Sequence, residues 1–184
     1  MQNFNEFIVP ILDSDGCPRG TGFIIPNYFI TAGHIFDEPQ TAVSIIFNNK
    51  KYTFKRADAV YIRTPKTGSN EEAQDVAIFG FSSEDSPLRI SGLMPNINST
   101  LECFSLKPIS GERDPFMLVL CECQVTKSIF NFFECNTHIV IGEGSSGSPL
   151  IHDNTVYGVL SGCMDEVNNP EKILFCSTMN LPIH

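Results

Sequence analysis

Short runs of β-forming residues, each bounded by Gly, Pro, Asn or Asp, recur along nearly the whole 184-residue chain. Aliphatic and aromatic runs of this length between turn-forming residues are typical of β-strands. No window of ten residues or more shows the 3.6-residue period of an amphipathic helix. The sequence therefore predicts an all-β protein. The runs form two series, residues 7–12, 20–25, 28–32, 42–47, 51–54, 59–63 and 75–81, then residues 101–107, 116–125, 129–135, 138–141, 149–151, 155–162 and 173–179.

A polar stretch containing Pro87, Gly92 and Pro95 separates the two series and is typical of a connector. Two sets of six or seven short strands favour two small antiparallel barrels over one sandwich, although the strand pattern alone is compatible with both. We predict two six-stranded β-barrels, formed by residues 1–82 and 98–184. A linker at residues 83–97 joins them, and the functional site lies in the cleft between them.

Composition and charge narrow the classes of function. The net charge of −9, with only 12 Lys and Arg residues, argues against a nucleic-acid-binding protein. No apolar run approaches the roughly 20 residues that a membrane-spanning helix needs. The first residues lack the basic segment and long apolar core of a secretion signal, and the seven cysteines are an odd number. These features predict reduced thiols and a cytoplasmic location.

Two adjacent serines, Ser145 and Ser146, lie in the glycine-rich segment GEGSSGSPL, directly before an apolar run. A simple turn and an exposed nucleophile are both compatible with this segment. A serine nucleophile needs an adjacent base, usually a histidine that a third group orients. His34 follows an apolar run in ITAGHIFD, and Asp75 opens the apolar run DVAIFGF. Taken singly, each of these residues also fits an ordinary turn or strand end.

Taken together and in this order, the segments TAGH, DVAI and GSSGSP resemble those of the chymotrypsin-like (trypsin-like) serine protease family. The resemblance extends over residues 20–177, and the Ser-Gly-Ser-Pro variant is closest in style to the bacterial glutamyl-endopeptidase and HtrA-like branches. It implies a serine endopeptidase that acts on proteins or peptides and needs no cofactor or metal. By this resemblance His34 is the general base, Asp75 the orienting acid and Ser146 the nucleophile, and the N–H groups of Gly144 and Ser146 form the oxyanion hole.

Three positions depart from the digestive or glutamyl-specific members of that family. Ser145 stands where the digestive enzymes have the acid used in zymogen activation, and Ile35 stands where they have a disulfide-forming cysteine. Leu160 stands where glutamyl-specific members have a histidine. The resemblance places the substrate pocket at the segments before and after the nucleophile, with Val140, Ile141, Leu160, Ser161 and Gly162 as candidates. Their uncharged character predicts a neutral residue at the cleavage site, because an unpaired buried charge is costly.

Two alternatives stay open at this point. The chain is also compatible with a catalytically silent or autoprocessing-only module on the same fold. Cys121, Cys123, Cys135 and His138 match the ligand count of a structural zinc site, which some viral relatives of the fold carry, although ordinary core cysteines explain the same residues.

Overall fold

A computed structural model describes residues 3–65, 71–108, 116–137, 144–165 and 169–184. Antiparallel strands dominate, as the pattern of apolar runs predicts. Among the described residues, helix is confined to three 3-10 turns, and none of the helices there is long and apolar enough to cross a membrane. The turns are Asn5–Phe7, Gly33–Phe36 and Arg56–Asp58.

Seven antiparallel strands form the first sheet in the order β5-β4-β1-β2-β3-β7-β6. Asn48 and Asn49 both adopt positive φ, at 52° and 62°, which suits the two-residue turn that links β4 to β5. The sheet is curled into a half-barrel, and within the described residues its end strands do not pair with each other. The strands are β1 Ile8–Leu12, β2 Pro18–Ile25, β3 Tyr28–Thr31, β4 Ala42–Phe47, β5 Lys50–Lys55, β6 Tyr61–Arg63 and β7 Val76–Gly80.

The second sheet closes on itself. Its order is β12-β9-β10-β11-β14-β13-β8, and a further pairing of β12 with β13 completes a six-stranded barrel. A tight turn at Asp153 and Asn154, both with positive φ, connects the two strands that close the ring. The strands are β8 Arg89–Ile90, β9 Thr100–Pro108, β10 Phe116–Ile129, β11 Phe132–Thr137, β12 Pro149–His152, β13 Thr155–Asp165 and β14 Asn169–Ser177.

The predicted all-β, two-barrel fold is confirmed, with two differences in detail. The first sheet has seven strands and stays open where six in a closed barrel were predicted. The segment predicted as a linker also contains β8, which runs parallel to β13. Buried side chains explain why this segment is ordered, since Leu88 is 1% exposed and the Ser86 hydroxyl donates to the Ile24 carbonyl at 2.6 Å. The division of the chain at residues 82 and 98 stays a prediction.

Two different cores stabilise the two sheets. Contacts between phenylalanine rings distinguish the first, where the ring of Phe29 lies 4.9 Å from that of Phe54 and 6.0 Å from that of Phe79. Thiols and aliphatic side chains dominate the second, and the rings of Phe133 and Phe175 stack there at 5.5 Å. Cysteine behaves as a small apolar residue in such a setting.

Apolar contacts join the two sheets and so fix the cleft between them. Ile151, Val156 and Val159 of the second barrel belong to the core cluster of the first sheet. The ring of Phe4 contacts the edge of Phe104 with centroids 5.0 Å apart. Loops from the two sheets are therefore held against each other by a shared core.

We expect Phe29→Ala to lower the free energy of unfolding by about 3–5 kcal/mol, because Phe29 is fully buried among other aromatic rings. Urea unfolding measures this change. Val60→Ala serves as the control, since Val60 is 60% exposed and its truncation is expected to change stability by less than about 0.5 kcal/mol. A cost below about 1 kcal/mol for Phe29→Ala would contradict this account of the core.

Candidate active site

His34 lies on the 3-10 turn that follows β3. The preceding strand directs Phe29 and Ile30 into the core, and Phe36 at the end of the turn is fully buried. These anchors fix the turn, while the side chain of His34 stays 31% exposed. A cleft of about 470 Å³ opens on one side of His34. The imidazole is thus held firmly and still meets solvent.

Asp75 is fully buried directly before β7, and its carboxylate accepts three hydrogen bonds. The backbone N–H of His34 donates to Oδ1 at 2.8 Å, and Nδ1 of His34 lies 2.7 Å from Oδ2. The hydroxyl of Ser161, from the second barrel, donates to the same Oδ2 at 2.5 Å. Burying a carboxylate is unfavourable unless donors surround it, and this arrangement supplies them from both barrels.

Ser146 reaches the other nitrogen of the same imidazole. Its Oγ lies 2.9 Å from Nε2 of His34, within normal hydrogen-bond distance. Because Nδ1 faces a carboxylate, the network assigns the proton to Nδ1 and leaves Nε2 as an acceptor for the serine hydroxyl. The structure therefore brings together the three residues that the sequence singled out, although 112 residues separate His34 from Ser146.

The hydrogen bond to Asp75 raises the pKa of His34 above its ordinary value. Partial burial acts in the opposite direction, and the negative charges of Asp75 and Asp37 add to the rise. The neighbouring carboxylate thus makes the imidazole a stronger base. At the same time Asp75 favours the charged imidazolium that forms when the ring accepts a proton.

Two glycines shape the loop that carries Ser146. Gly144 and Gly147 have φ angles of 86° and 90°, which other residues rarely adopt. A Cβ on Gly147 would lie 2.1 Å from the carbonyl oxygen of Thr21, so no side chain fits there. In the described part of the chain, no acceptor is bonded to the backbone N–H of Gly144 or of Ser146. Within the described residues both N–H groups are thus unbonded.

Ser148 supports this loop from behind. Its hydroxyl donates to the carbonyl of Ser145 at 2.5 Å, and its backbone N–H donates to the same oxygen at 3.0 Å. A second buried serine, Ser105 on β9, lies 2.6 Å from the Ser148 hydroxyl. The hydroxyl of Ser145, by contrast, is buried and has no hydrogen-bond partner among the residues that the structure describes. The two serines that flank Ser146 thus differ sharply in their contacts.

The pocket candidates fall into three groups. Val140 and Ile141 lie outside the described residues, as does His138 of the zinc hypothesis. The side chain of Leu160 is 2% exposed and packs in the core of the second barrel, and the hydroxyl of Ser161 is engaged by Asp75. A Cβ at Gly162 would meet nothing within 4 Å, so this position faces open space. The assignment of a specificity pocket to these residues stays a prediction.

Cysteines 121, 123 and 135 belong to the core of the second barrel. Burial raises the pKa of the Cys135 thiol, and a hydrogen bond with Cys103 raises that of Cys123, so both stay protonated. Among the described residues, no cluster of three or more His, Cys, Asp or Glu side chains could hold a metal ion. Cys17, Cys103, Cys121, Cys123, Cys135 and Cys176 are all present as thiols.

Sequence reasoning missed two contacts of the buried acid. Ser161 was predicted as a pocket residue, whereas its hydroxyl binds Asp75. Cys176 on β14 is fully buried, and its Sγ accepts a hydrogen bond from the backbone N–H of Asp75 at 3.3 Å. Burial raises the pKa of this thiol to about 12, so no second negative charge forms beside the carboxylate. Only the pairing of distant strands brings either residue to Asp75, and no local motif marks them.

We expect Ser145→Ala to leave the free energy of unfolding unchanged or to raise it by up to about 1 kcal/mol, because the lost hydroxyl is buried without a partner. Ser148→Ala is the matched control. It removes two buried hydrogen bonds and is expected to cost about 1–3 kcal/mol. Urea unfolding of the two variants checks the contrast, and a greater loss for Ser145→Ala than for Ser148→Ala would contradict it.

Comparison by sequence identifies no relative, since no family model and no curated protein matches the chain. Comparison by structure identifies several. Mouse neuropsin, a serine protease of the limbic system, superimposes with a TM-score of 0.68 at 12% identity, covering 95% of this chain and 90% of that one. Catalytically inactive tobacco etch virus protease in complex with substrate gives a TM-score of 0.66 at 15% identity, covering 96% and 81%.

An inactivated protease paralogue of the scabies mite, SMIPP-S-D1, also matches, with a TM-score of 0.64 at 15% identity, covering 94% of this chain and 87% of that one. The neighbours thus include proteases and inactivated forms. At these identities the likeness concerns the fold. The chain therefore has the two-barrel fold of the chymotrypsin-like serine proteases.

Proposed function

We propose that this protein is a serine endopeptidase that cleaves peptide bonds through an acyl-enzyme formed on Ser146. One observation carries the proposal: a continuous hydrogen-bonded chain runs from the buried Asp75 carboxylate through both nitrogens of His34 to the Ser146 hydroxyl. Nucleophile, base and orienting acid are the three parts that this chemistry needs, and the hydrogen bonds between the three side chains support these roles.

Each residue then has a defined task. The Ser146 Oγ attacks the carbonyl carbon of the peptide bond while Nε2 of His34 takes the hydroxyl proton. The resulting imidazolium gives this proton to the nitrogen of the leaving amine, the C–N bond breaks, and the acyl group stays on Ser146. His34 next takes a proton from water as that water attacks the acyl-enzyme. The carboxyl product leaves, and the proton returns to Ser146.

The tetrahedral intermediates carry negative charge on the former carbonyl oxygen. The N–H groups of Gly144 and Ser146, which have no acceptor among the described residues, are proposed to donate to this oxygen. Donors of this kind each stabilise the transition state by about 3–4 kcal/mol in comparable enzymes. Asp75 assists from the other side, because it stabilises the imidazolium that forms in the same step.

A catalytically silent or autoprocessing-only module is the second candidate. The scabies mite paralogue, an inactivated protease, favours this candidate because the two chains share the fold. Against it, His34, Asp75 and Ser146 are all present here, and His34 lies within hydrogen-bond distance of both Asp75 and Ser146. We therefore prefer the proposal of an active peptidase to that of a silent binding module.

The proposed substrate is an extended segment of protein. Neighbouring structures of tobacco etch virus protease were solved with substrate and with product, which supports a protein or peptide substrate for this chain. Beside His34 the cleft is lined by Asp13, Asp37 and Glu38, and Arg19 pairs with Asp13 at 3.1 Å. The net charge of −9 favours basic residues next to the scissile bond, while the cleavage-site residue itself is proposed to be neutral.

The direct test compares turnover of a quenched-fluorescent peptide library by wild type and three variants. We expect Ser146→Ala and His34→Ala to lower kcat/KM by about 10⁴–10⁶-fold, because each removes a reacting group. Ser145→Ala is the matched control and is expected to retain activity within about threefold. Loss of turnover in Ser145→Ala but not in Ser146→Ala would identify the wrong serine, and absence of turnover in wild type would favour the silent module.

The pH dependence of kcat/KM follows from the raised pKa of His34. The general base must be neutral, so activity is lost as pH falls through the pKa of the imidazole. Because the hydrogen bond to Asp75 raises this pKa, we expect the midpoint of the acid limb above the ordinary value of 6.5. The loss of kcat/KM at acid pH is measured in wild type. The His34 pKa is measured by NMR in the Ser146→Ala variant and in the Ser146→Ala, Asp75→Asn double variant.

Replacing Asp75 by Asn is expected to move the His34 pKa downward, since the negative partner of the imidazolium is then lost. A midpoint at or below about 6 in wild type would contradict the assignment of His34 as a base paired with Asp75. An NMR titration of His34 that Asp75→Asn leaves unchanged would contradict it equally.

A further inference from the structure

Thr21 lies on β2 of the first sheet and is fully buried against the loop that carries Ser146. We propose that Thr21 is a positioning residue for the oxyanion hole, holding Gly144 and Ser146 so that their N–H groups converge on one oxygen. The inference rests on the proposed function, because it concerns the step in which negative charge develops on that oxygen.

The contacts of Thr21 with the loop are specific. Its backbone N–H donates to the carbonyl of Ser146 at 2.8 Å. Its Oγ1 donates to the carbonyl of Gly144 at 3.3 Å. One residue of the first sheet therefore binds the carbonyls of both residues whose N–H groups form the proposed oxyanion hole.

Binding a carbonyl restrains the N–H of the same residue, because only two backbone torsions separate the two groups. This restraint matters most at Gly144. Gly144 has no side chain to anchor it, and a Cβ built there would meet no atom of the described residues within 4 Å. The hydroxyl of Thr21 supplies a fixed contact at a position that packing leaves open.

Thr21 is itself fixed from two directions. The hydroxyl of Thr31 on β3 donates to the Thr21 carbonyl at 2.9 Å. The backbone N–H of Leu106, on β9 of the second barrel, donates to the Thr21 hydroxyl at 3.2 Å. This second bond leaves the hydroxyl hydrogen directed to Gly144, since Oγ1 accepts from Leu106 and has one proton to donate. The side chain thus links both barrels to the loop.

The test compares Thr21→Val, which keeps the shape of the side chain and removes the hydroxyl, with Thr21→Ser, which keeps the hydroxyl. We expect Thr21→Val to lower kcat by about 10- to 100-fold with KM changed by less than about threefold, since small displacements of groups that act in the transition state have effects of this size. Thr21→Ser is expected to stay within about threefold of wild type. The acid limb of the pH profile is expected to stay in place, because Thr21 does not contact His34 or Asp75.

Thr178→Val is the matched control for loss of a buried threonine hydroxyl. Thr178 is also fully buried, and its Oγ1 donates to the carbonyls of Ser91 and Val156 at 2.7 and 3.1 Å, away from the triad. We expect this variant to lose stability as Thr21→Val does and to keep its kcat. A peptide boronic acid gives a second measure, because its tetrahedral adduct places an oxygen in the oxyanion hole. Its affinity is expected to fall in Thr21→Val by the same factor as kcat/KM.

A measurement without substrate separates this inference from the proposed function. We expect NMR order parameters of about 0.85, the value of rigid backbone, for the Gly144 and Ser146 amides in wild type. These order parameters are expected to fall in Thr21→Val and to stay unchanged in Thr178→Val. Unchanged order parameters, a kcat within about twofold of wild type, or a shifted acid limb in Thr21→Val would each overturn the role of Thr21. Absence of wild-type turnover would contradict the proposed function but not the role of Thr21. The order parameters would still test whether Thr21 holds the loop in place.

Discussion

The buried carboxylate of Asp75 is the constraint on which the candidate site depends. A fully buried charge is tolerated only where donors surround it, and here they come from His34 in the first sheet and Ser161 in the second barrel. Satisfying this one group therefore links the second barrel to the first, and it sets the tautomer of the imidazole and the direction of its free nitrogen. Cys176 completes the arrangement as a neutral thiol that accepts from the Asp75 N–H.

The loop that carries Ser146 is held in a complementary way. Gly147 is pressed against the backbone of β2, and a Cβ there would overlap the Thr21 carbonyl. Ser148 binds the Ser145 carbonyl from behind, and Thr21 binds the carbonyls of Gly144 and Ser146 from the first sheet. The N–H groups of Gly144 and Ser146 are left without acceptors in the described residues, while the carbonyls of Gly144, Ser145 and Ser146 are bonded. This asymmetry is what a site for a developing oxyanion requires.

The sequence predicted those features that local patterns encode. Apolar runs between turn residues predicted most of the strands, and the segments around His34, Asp75 and Ser146 predicted the three side chains that the structure brings together. The Asn48-Asn49 turn and the Asp153-Asn154 turn likewise follow from local preference.

Features that depend on distant pairing could not be predicted. The register of β13 against β14 sets where Ser161 and Cys176 lie, and nothing near either residue indicates a contact with Asp75. The pairing of β12 with β13 closes one barrel, whereas the first sheet stays open. The side chain of Leu160 packs in the core of the second barrel, and its assignment to the specificity pocket stays a prediction.

The central claim is that His34 activates Ser146 as a nucleophile. Its most direct test is reaction of the native protein with a fluorophosphonate, followed by mass spectrometry to locate the adduct. The account predicts one adduct per chain, on Ser146, and no adduct in His34→Ala at the same pH, because the hydroxyl then has no base to take its proton. An adduct on another residue, or undiminished labelling of Ser146 in His34→Ala, would contradict it.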